Sequence, residues 1–173
     1  MSHKRRFFYD TEFIERPSTI DLISIGIVGE DGSEFYAVST DAEHSKANQW
    51  VKDNVLMLLP PEDDSAWCSR EVMRARVLDF LRPSKTDKVE LWGYYSAYDH
   101  VALCWLFGPM VDLPPGMPMY TRDAKQLCDS LGNPRLPPNN GAHDALVDAR
   151  WTRSVWQLLT AVAQRAAAVT HAP

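Results

Sequence analysis

The order of strand and helix patterns along this 173-residue chain specifies an α/β fold, a mixed sheet with helices packed on it. Strand patterns at residues 6–13, 20–28 and 34–39 are joined by short turns, which makes an antiparallel meander. Helical patterns follow, and one further strand pattern, residues 89–95, lies among them.

Each element has a local reason. The first strand is the aromatic run Phe7-Phe8-Tyr9-Asp10-Thr11-Glu12-Phe13, and the second is apolar from Ile20 to Val28. Glu30-Asp31-Gly32 is a hairpin signal, and Glu34 to Ser39 returns as the third strand. Helices are expected over 48–58, stopped by Pro60-Pro61, and over 69–81, stopped by Pro83. The fourth strand leads into a helix over about 98–107. A proline-rich stretch, 109–118, then precedes a short helix near 123–131. The loop 134–141 precedes the longest helix, about 144–168. No internal repeat is visible, and the length suits a single domain over 1–173 with its core at about 6–165.

Composition narrows the class. With 45% apolar and 24% charged residues the chain reads as an ordinary soluble globule. Three widely spaced cysteines, Cys68, Cys104 and Cys128, suggest reduced thiols rather than a disulfide framework or a zinc site. The basic start, Met1 to Arg6, precedes too short an apolar run for a signal peptide, and no run is long enough to span a membrane. A cytoplasmic protein is expected. A net charge of −5 argues against a coat for long duplex nucleic acid, but leaves room for an enzyme that grips terminal nucleotides through metal ions.

Five polar residues carry the functional signal: Asp10, Glu12, Asp99, His143 and Asp148. Strand side chains alternate, so Asp10 and Glu12 share a face with Phe8. Two carboxylates beside apolar surface repel and lose hydration, a cost that a divalent, oxygen-preferring cation such as Mg²⁺ would offset. Asp99 lies just beyond the fourth strand, where ligand sites of α/β sheets gather. Ser96-x-x-Asp99 also reads as a variant capping box, and the two readings are compatible.

His143 and Asp148 are five residues apart, roughly 140° on a continuous helix, so their side chains would diverge there. They converge if His143 ends the loop Pro137-Pro138-Asn139-Asn140-Gly141, Asp144 caps the helix and Asp148 stands one turn in. Histidine titrates near neutrality, so a loop histidine beside an attacking water is suited to act as general base.

Taken together, Asp-x-Glu, Tyr-x-x-x-Asp and His-x-x-x-x-Asp in this order resemble the DEDDh 3′–5′ exonucleases, the superfamily of RNase T and oligoribonuclease. The resemblance spans residues 7–155. Tyr9-Asp-Thr-Glu-Phe-Ile-Glu15, Leu22-Ile-Ser-Ile-Gly26, Ala97-Tyr-Asp-His-Val-Ala-Leu-Cys104 and His143-Asp-Ala-Leu-Val-Asp-Ala-Arg150 are closer still to the mycobacterial-type exoribonucleases of the RNase AS kind, which favour adenylate-rich 3′ ends.

That resemblance implies an RNase H-like fold, a homodimer and two Mg²⁺ (or Mn²⁺) ions. It implies a single-stranded RNA 3′ end as partner and nucleoside 5′-monophosphates as products. Asp10, Glu12 and Asp148 would hold the metals, with Asp10 bridging them, and Asp99 would complete the set through a water. Two cations ~3.5–4 Å apart clamp a scissile phosphate in such enzymes. His143 would be the base. Thr11 and Glu12 would contact the terminal nucleotide; Phe13 reads either as a stacking surface for its base or as a core aromatic, since a regular strand puts it on the face opposite Glu12.

Two other classes are weighed. The His143-Asp144 dipeptide occurs in HD-type phosphohydrolases, but that class needs further helical histidines upstream and this chain opens with strands. A non-catalytic nucleic-acid-binding or dimerisation module would retain costly buried acids for no purpose. Trp105, Trp151 and Trp156 read as core or interface residues.

Overall fold

The computed structural model describes residues 3–170, and side chains for 4–168. The first two and last three residues of the expected 1–173 domain lie outside the described residues.

Six strands form one sheet in the order β4-β3-β2-β1-β5-β6. Strands β1 (His3–Arg16), β2 (Thr19–Gly29) and β3 (Glu34–Ser39) make the expected antiparallel meander. Strand β5 (Asp87–Gly93) then adds parallel to β1, so the sheet is mixed. Two short strands, β4 (Trp67–Cys68) and β6 (Arg122–Asp123), close the edges in parallel with β3 and β5. Neither was visible as a sequence pattern, because two residues carry no periodicity.

One face of the sheet packs on α2 (Arg70–Leu81) and α3 (Ala97–Trp105). Phe7, Tyr9, Leu22, Ile25, Ile27 and Leu91 there meet Met73, Val77 and Leu81 of α2 and Leu103 of α3. The other face carries the long helix α5 (Ala145–Thr170), which lies over β1 and β2. Phe8 packs on Trp156 of that helix with ring centroids 5.3 Å apart. The small helix α4 (Ala124–Ser130) packs on α5 through Cys128, Val155 and Leu159. Ile14 and Ile23 form a separate cluster with Val51 of α1 (Gln49–Asn54).

The register between β1 and β2 slips by one residue: Glu12 faces Ser24, but Phe13 faces Leu22, leaving Ile23 unpaired. This bulge explains why Leu22 and Ile25, three apart, share one core while Ile23 joins the other.

Several expected boundaries move. The helix expected over 48–58 ends at Asn54 and continues only as a 3₁₀ turn, Leu56–Leu58, ahead of the two prolines. The fourth long strand stops at Gly93, not residue 95, because Tyr95 adopts a left-handed backbone with φ 58°. Trp105, expected in a core or interface, is half exposed.

One contact sets the position of α5. A Cβ on Gly26 would stand 2.3 Å from the Ala145 carbonyl oxygen and 2.4 Å from the Leu146 Cα, so only glycine lets the first turn of α5 rest on β2. Gly26 is the cross-strand partner of Asp10. Gly26→Ala is therefore expected to lift α5 and cost about 1–3 kcal/mol, read as a lower urea midpoint. An unchanged midpoint would mean that α5 is free to shift.

Candidate active site

Strand β1 brings Asp10 and Glu12 to the face that α5 covers. Helix α5 adds Asp148 from its first turn, directly above. Carboxylate oxygens of Asp10, Glu12 and Asp148 all lie within 4.8 Å of one another, and each residue is partly buried. Three convergent carboxylates of this kind are a hard-oxygen donor set suited to Mg²⁺ or Mn²⁺.

The loop before α5 is built as its sequence suggested. Asp144 caps the helix, its Oδ1 accepting from the Leu146 and Val147 amides at 3.0 and 3.1 Å. His143 precedes the cap in a left-handed conformation, φ 74°. Its backbone N–H donates to Asp148 Oδ2 at 2.7 Å, and the Asn139 amide donates to the other oxygen. Asp148 is thus aimed by the loop that presents His143. The imidazole stands edge-on to Trp50 of α1, ring centroids 4.8 Å apart, and Trp50 is 53% exposed.

Asp99 enters from the other side. Strand β5 pairs with β1 only as far as Phe8, so the edge of β1 beyond that point lacks a strand neighbour there. Asp99, in the first turn of α3, fills the gap: its Oδ1 accepts from the Thr11 amide at 2.9 Å and the Thr11 hydroxyl at 2.6 Å. The capping-box reading fails, because the Ser96 side chain makes no cap hydrogen bond and Asp99 bonds across to β1. Asp99 lies near enough to Asp10 and Glu12 to repel both.

The electrostatics follow from crowding. Burial first, then Asp99, Glu12 and Asp148, hold the Asp10 carboxyl well above the usual range. Burial and then Asp148, Asp99 and Asp144 push Glu12 up to about 8. Burial raises Asp99 to about 6 against the pull of its Thr11 hydrogen bonds. Burial also raises Asp148, opposed by the Asn139 and His143 hydrogen bonds. The N-terminus of α5 offsets part of this charge. A cavity of about 1000 Å³ lies elsewhere, between the start of β1 and α2, lined by Arg5, Phe7, Phe35, Arg76 and Phe80, so concavity alone does not point to the acids.

A model of the 3′–5′ exoribonuclease Rv2179c-like domain matches residues 5–160. The chain belongs to this family. Two Mycobacterium tuberculosis proteins, 3′-5′ exoribonuclease Rv2179c (strain H37Rv) and 3′-5′ exoribonuclease MT2234.1 (strain CDC 1551), are each 52% identical over 156 residues, covering 90% of this chain and 93% of their own. Among solved structures, S. pombe Pop2p in an Mg²⁺- and Mn²⁺-bound form aligns with a TM-score of 0.57 at 13% identity, over 90% of this chain and 82% of that one. The cell-death related nuclease CRN-4 aligns at 0.54 and 11% identity, over 92% and 64%. At those identities the likeness is one of fold, the RNase H-like DEDD exonuclease fold.

Of the expected site residues in this exoribonuclease-family chain, Asp10, Glu12 and Asp148 converge, and Asp99 reaches β1 through Thr11. The Thr11 amide and hydroxyl are both taken by Asp99. Phe13 is half-buried and meets Tyr98, the residue before Asp99, at 6.0 Å between ring centroids. Sequence reasoning missed Trp50 and Asn139. Asn139 stood in a recognised loop, but neither contact has a spacing signal, since Trp50 and His143 are joined only by the fold.

Unfolded carboxylates titrate near 4, and these are raised in the folded chain, so the folded state holds more protons and stability falls as pH rises from about 4 towards 8. In EDTA the melting temperature is expected to be lower at pH 8 than at pH 5. Asp10→Asn should shrink that difference, and Mg²⁺ or Mn²⁺ should raise the melting temperature more at pH 8. A melting temperature that climbs from pH 5 to pH 8 in EDTA would contradict this electrostatic picture.

Proposed function

We propose that this chain is a metal-dependent 3′–5′ exoribonuclease that removes nucleoside 5′-monophosphates from single-stranded RNA 3′ ends, with adenylate-rich tails preferred. The observation that carries the reading is the convergence of Asp10 and Glu12 from β1 with Asp148 from α5, in a chain of this family. Three raised, crowded carboxylates gain most from a divalent cation, which supports two Mg²⁺ or Mn²⁺ ions as cofactors.

Asp10, Glu12 and Asp148 would hold the ions, with Asp99 completing the acidic set. When bound, the ions would polarise the scissile phosphate and offset the charge of the departing oxygen. His143, on its loop and steadied by Trp50, would take the proton from the attacking water. The water oxygen would form the new bond to phosphorus as the bond to the 3′-oxygen breaks, and that oxygen, taking a proton from solvent, would leave a 3′-hydroxyl on the shortened chain. Glu12 and the Thr11 carbonyl would meet the terminal ribose, since the Thr11 amide is occupied. Phe13 with Tyr98, and the exposed Trp50, supply the aromatic surfaces on which a terminal base could stack.

A homodimer belongs to the same proposal. Exposed Trp105, Met110, Val111, Met119 and Tyr120 within and beyond α3 favour a self-association surface. A cytoplasmic location accords with the three free cysteines, and among the described residues no helix is long and apolar enough to cross a membrane. The single domain over 1–173 is proposed on the one sheet that the described residues share.

The test is the protein with 5′-labelled oligo(A), oligo(U) and matching DNA, in Mg²⁺ or EDTA, resolved on a gel. A metal-dependent ladder shortening from the 3′ end, fastest on oligo(A), is expected; intact strands under Mg²⁺ and Mn²⁺ would remove the reading. Asp10→Ala should abolish shortening, and His143→Ala should slow it ~10²-fold or more with RNA binding retained. Full activity in either variant would sink the assigned roles.

A further inference from the structure

Among the described residues with a left-handed backbone, Tyr95 is an aromatic one that the mechanism leaves unused. It sits between β5 and α3 with φ 58°, a left-handed backbone that bulky side chains rarely adopt. Such conformations persist where the surroundings over-determine them, and they gather at functional sites. Asparagine or glycine would take this position with less strain.

The turn is held firmly. The Ser96 amide donates to Asp123 Oδ2 at 3.1 Å, and the Ala97 amide to the Tyr95 carbonyl at 3.0 Å. It also lies against the catalytic strand, since a Cβ on Gly93 would approach the Tyr9 carbonyl to 3.4 Å. Tyr95 meets Tyr94 edge-on at 4.9 Å between ring centroids, and Tyr94 meets Trp151 in the same way at 4.7 Å. Trp151 is three residues beyond Asp148 on α5, and its indole N–H is fixed by the Pro137 carbonyl at 2.9 Å. A ladder of three rings thus joins the turn that precedes Asp99 to the helix that carries Asp148. Lys125, whose ammonium pairs with Asp129 one turn on, stands close enough to interact with both phenols.

Packing alone does not account for Tyr95, which is 67% exposed. We infer that Tyr95 is a stacking platform for an RNA base on the 5′ side of the scissile phosphate, beyond the terminal dinucleotide. The released nucleotide needs a closed end, whereas the rest of the strand must run off over open surface. Tyr95 is more exposed than Trp50, which meets His143, or Tyr98, the residue before Asp99, so it suits the continuing strand.

This inference rests on the exoribonuclease reading, and the test separates the two. Tyr95→Asn and Tyr95→Phe are compared with the unmodified protein in three measurements. These are melting temperature, the Kd of fluorescein-labelled decameric oligo(A) in EDTA, and KM and kcat on oligo(A) of two to ten nucleotides in Mg²⁺. Tyr95→Asn is expected to keep or raise the melting temperature while raising Kd and KM for the decamer ~10-fold, with the smallest effect on the dinucleotide. Tyr95→Phe should behave as the parent. An equal loss at every length, or none at any length, would overturn the inference. If the parent binds oligo(A) without cleaving it, the exoribonuclease reading falls and the Kd comparison alone decides Tyr95. If it binds no RNA, both fall.

Discussion

The close approach of α5 to β2 at Gly26 is the constraint from which the candidate site follows. Without a side chain at Gly26, the Ala145–Leu146 backbone settles on the strand, one cross-strand step from Asp10. That seat fixes the height and the phase of the helix. Asp148, in its first turn, then has to point at Asp10 and Glu12. The same seat places the helix N-terminus, its first amides capped by Asp144, with its positive dipole end over the carboxylates. A bulkier residue at one strand position would therefore act on metal-site geometry as well as on stability.

The second dependence is electrostatic. Asp10, Glu12, Asp99 and Asp148 are each raised above their ordinary range, chiefly by burial and then, for the β1 pair, by neighbouring carboxylates, Asp99 first for Asp10 and Asp148 first for Glu12. A fold selected only for stability would replace such a cluster with apolar residues of similar volume. Its retention makes sense where a divalent cation neutralises it. The supporting hydrogen bonds are unequal. Asp148 is held on both oxygens by the loop of His143, and Asp99 takes two bonds from Thr11, bonds that stand where β5 no longer borders β1. Asp99 therefore carries a structural duty alongside any role at the metals.

Much of this was legible in the residues. The meander and the shared face of Asp10 and Glu12 follow from a period of two, which survives because the bulge falls after Glu12. The arrangement of His143, Asp144 and Asp148 was legible too, since a strong loop signal forced the histidine off the helix and left Asp144 to cap it. Asp99 was half legible: its position beyond the strand was right, but its chief partner was Thr11 and the Ser96 amide went to Asp123 instead. What stayed hidden were contacts between distant segments, Trp50 on His143 above all. Strands β4 and β6 were too short for any pattern. The left-handed turn at Tyr95 was hidden as well, because tyrosine is the wrong residue to announce it.

The most direct test of the central claim, that the fold gathers these carboxylates for a divalent cation, is a crystal grown with Mn²⁺ and measured at the manganese absorption edge. An anomalous peak about 2.1 Å from oxygens of Asp10, Glu12 and Asp148 is the predicted result. A crystal saturated with Mn²⁺ that shows no peak among these carboxylates, or shows the ion bound elsewhere, would contradict it.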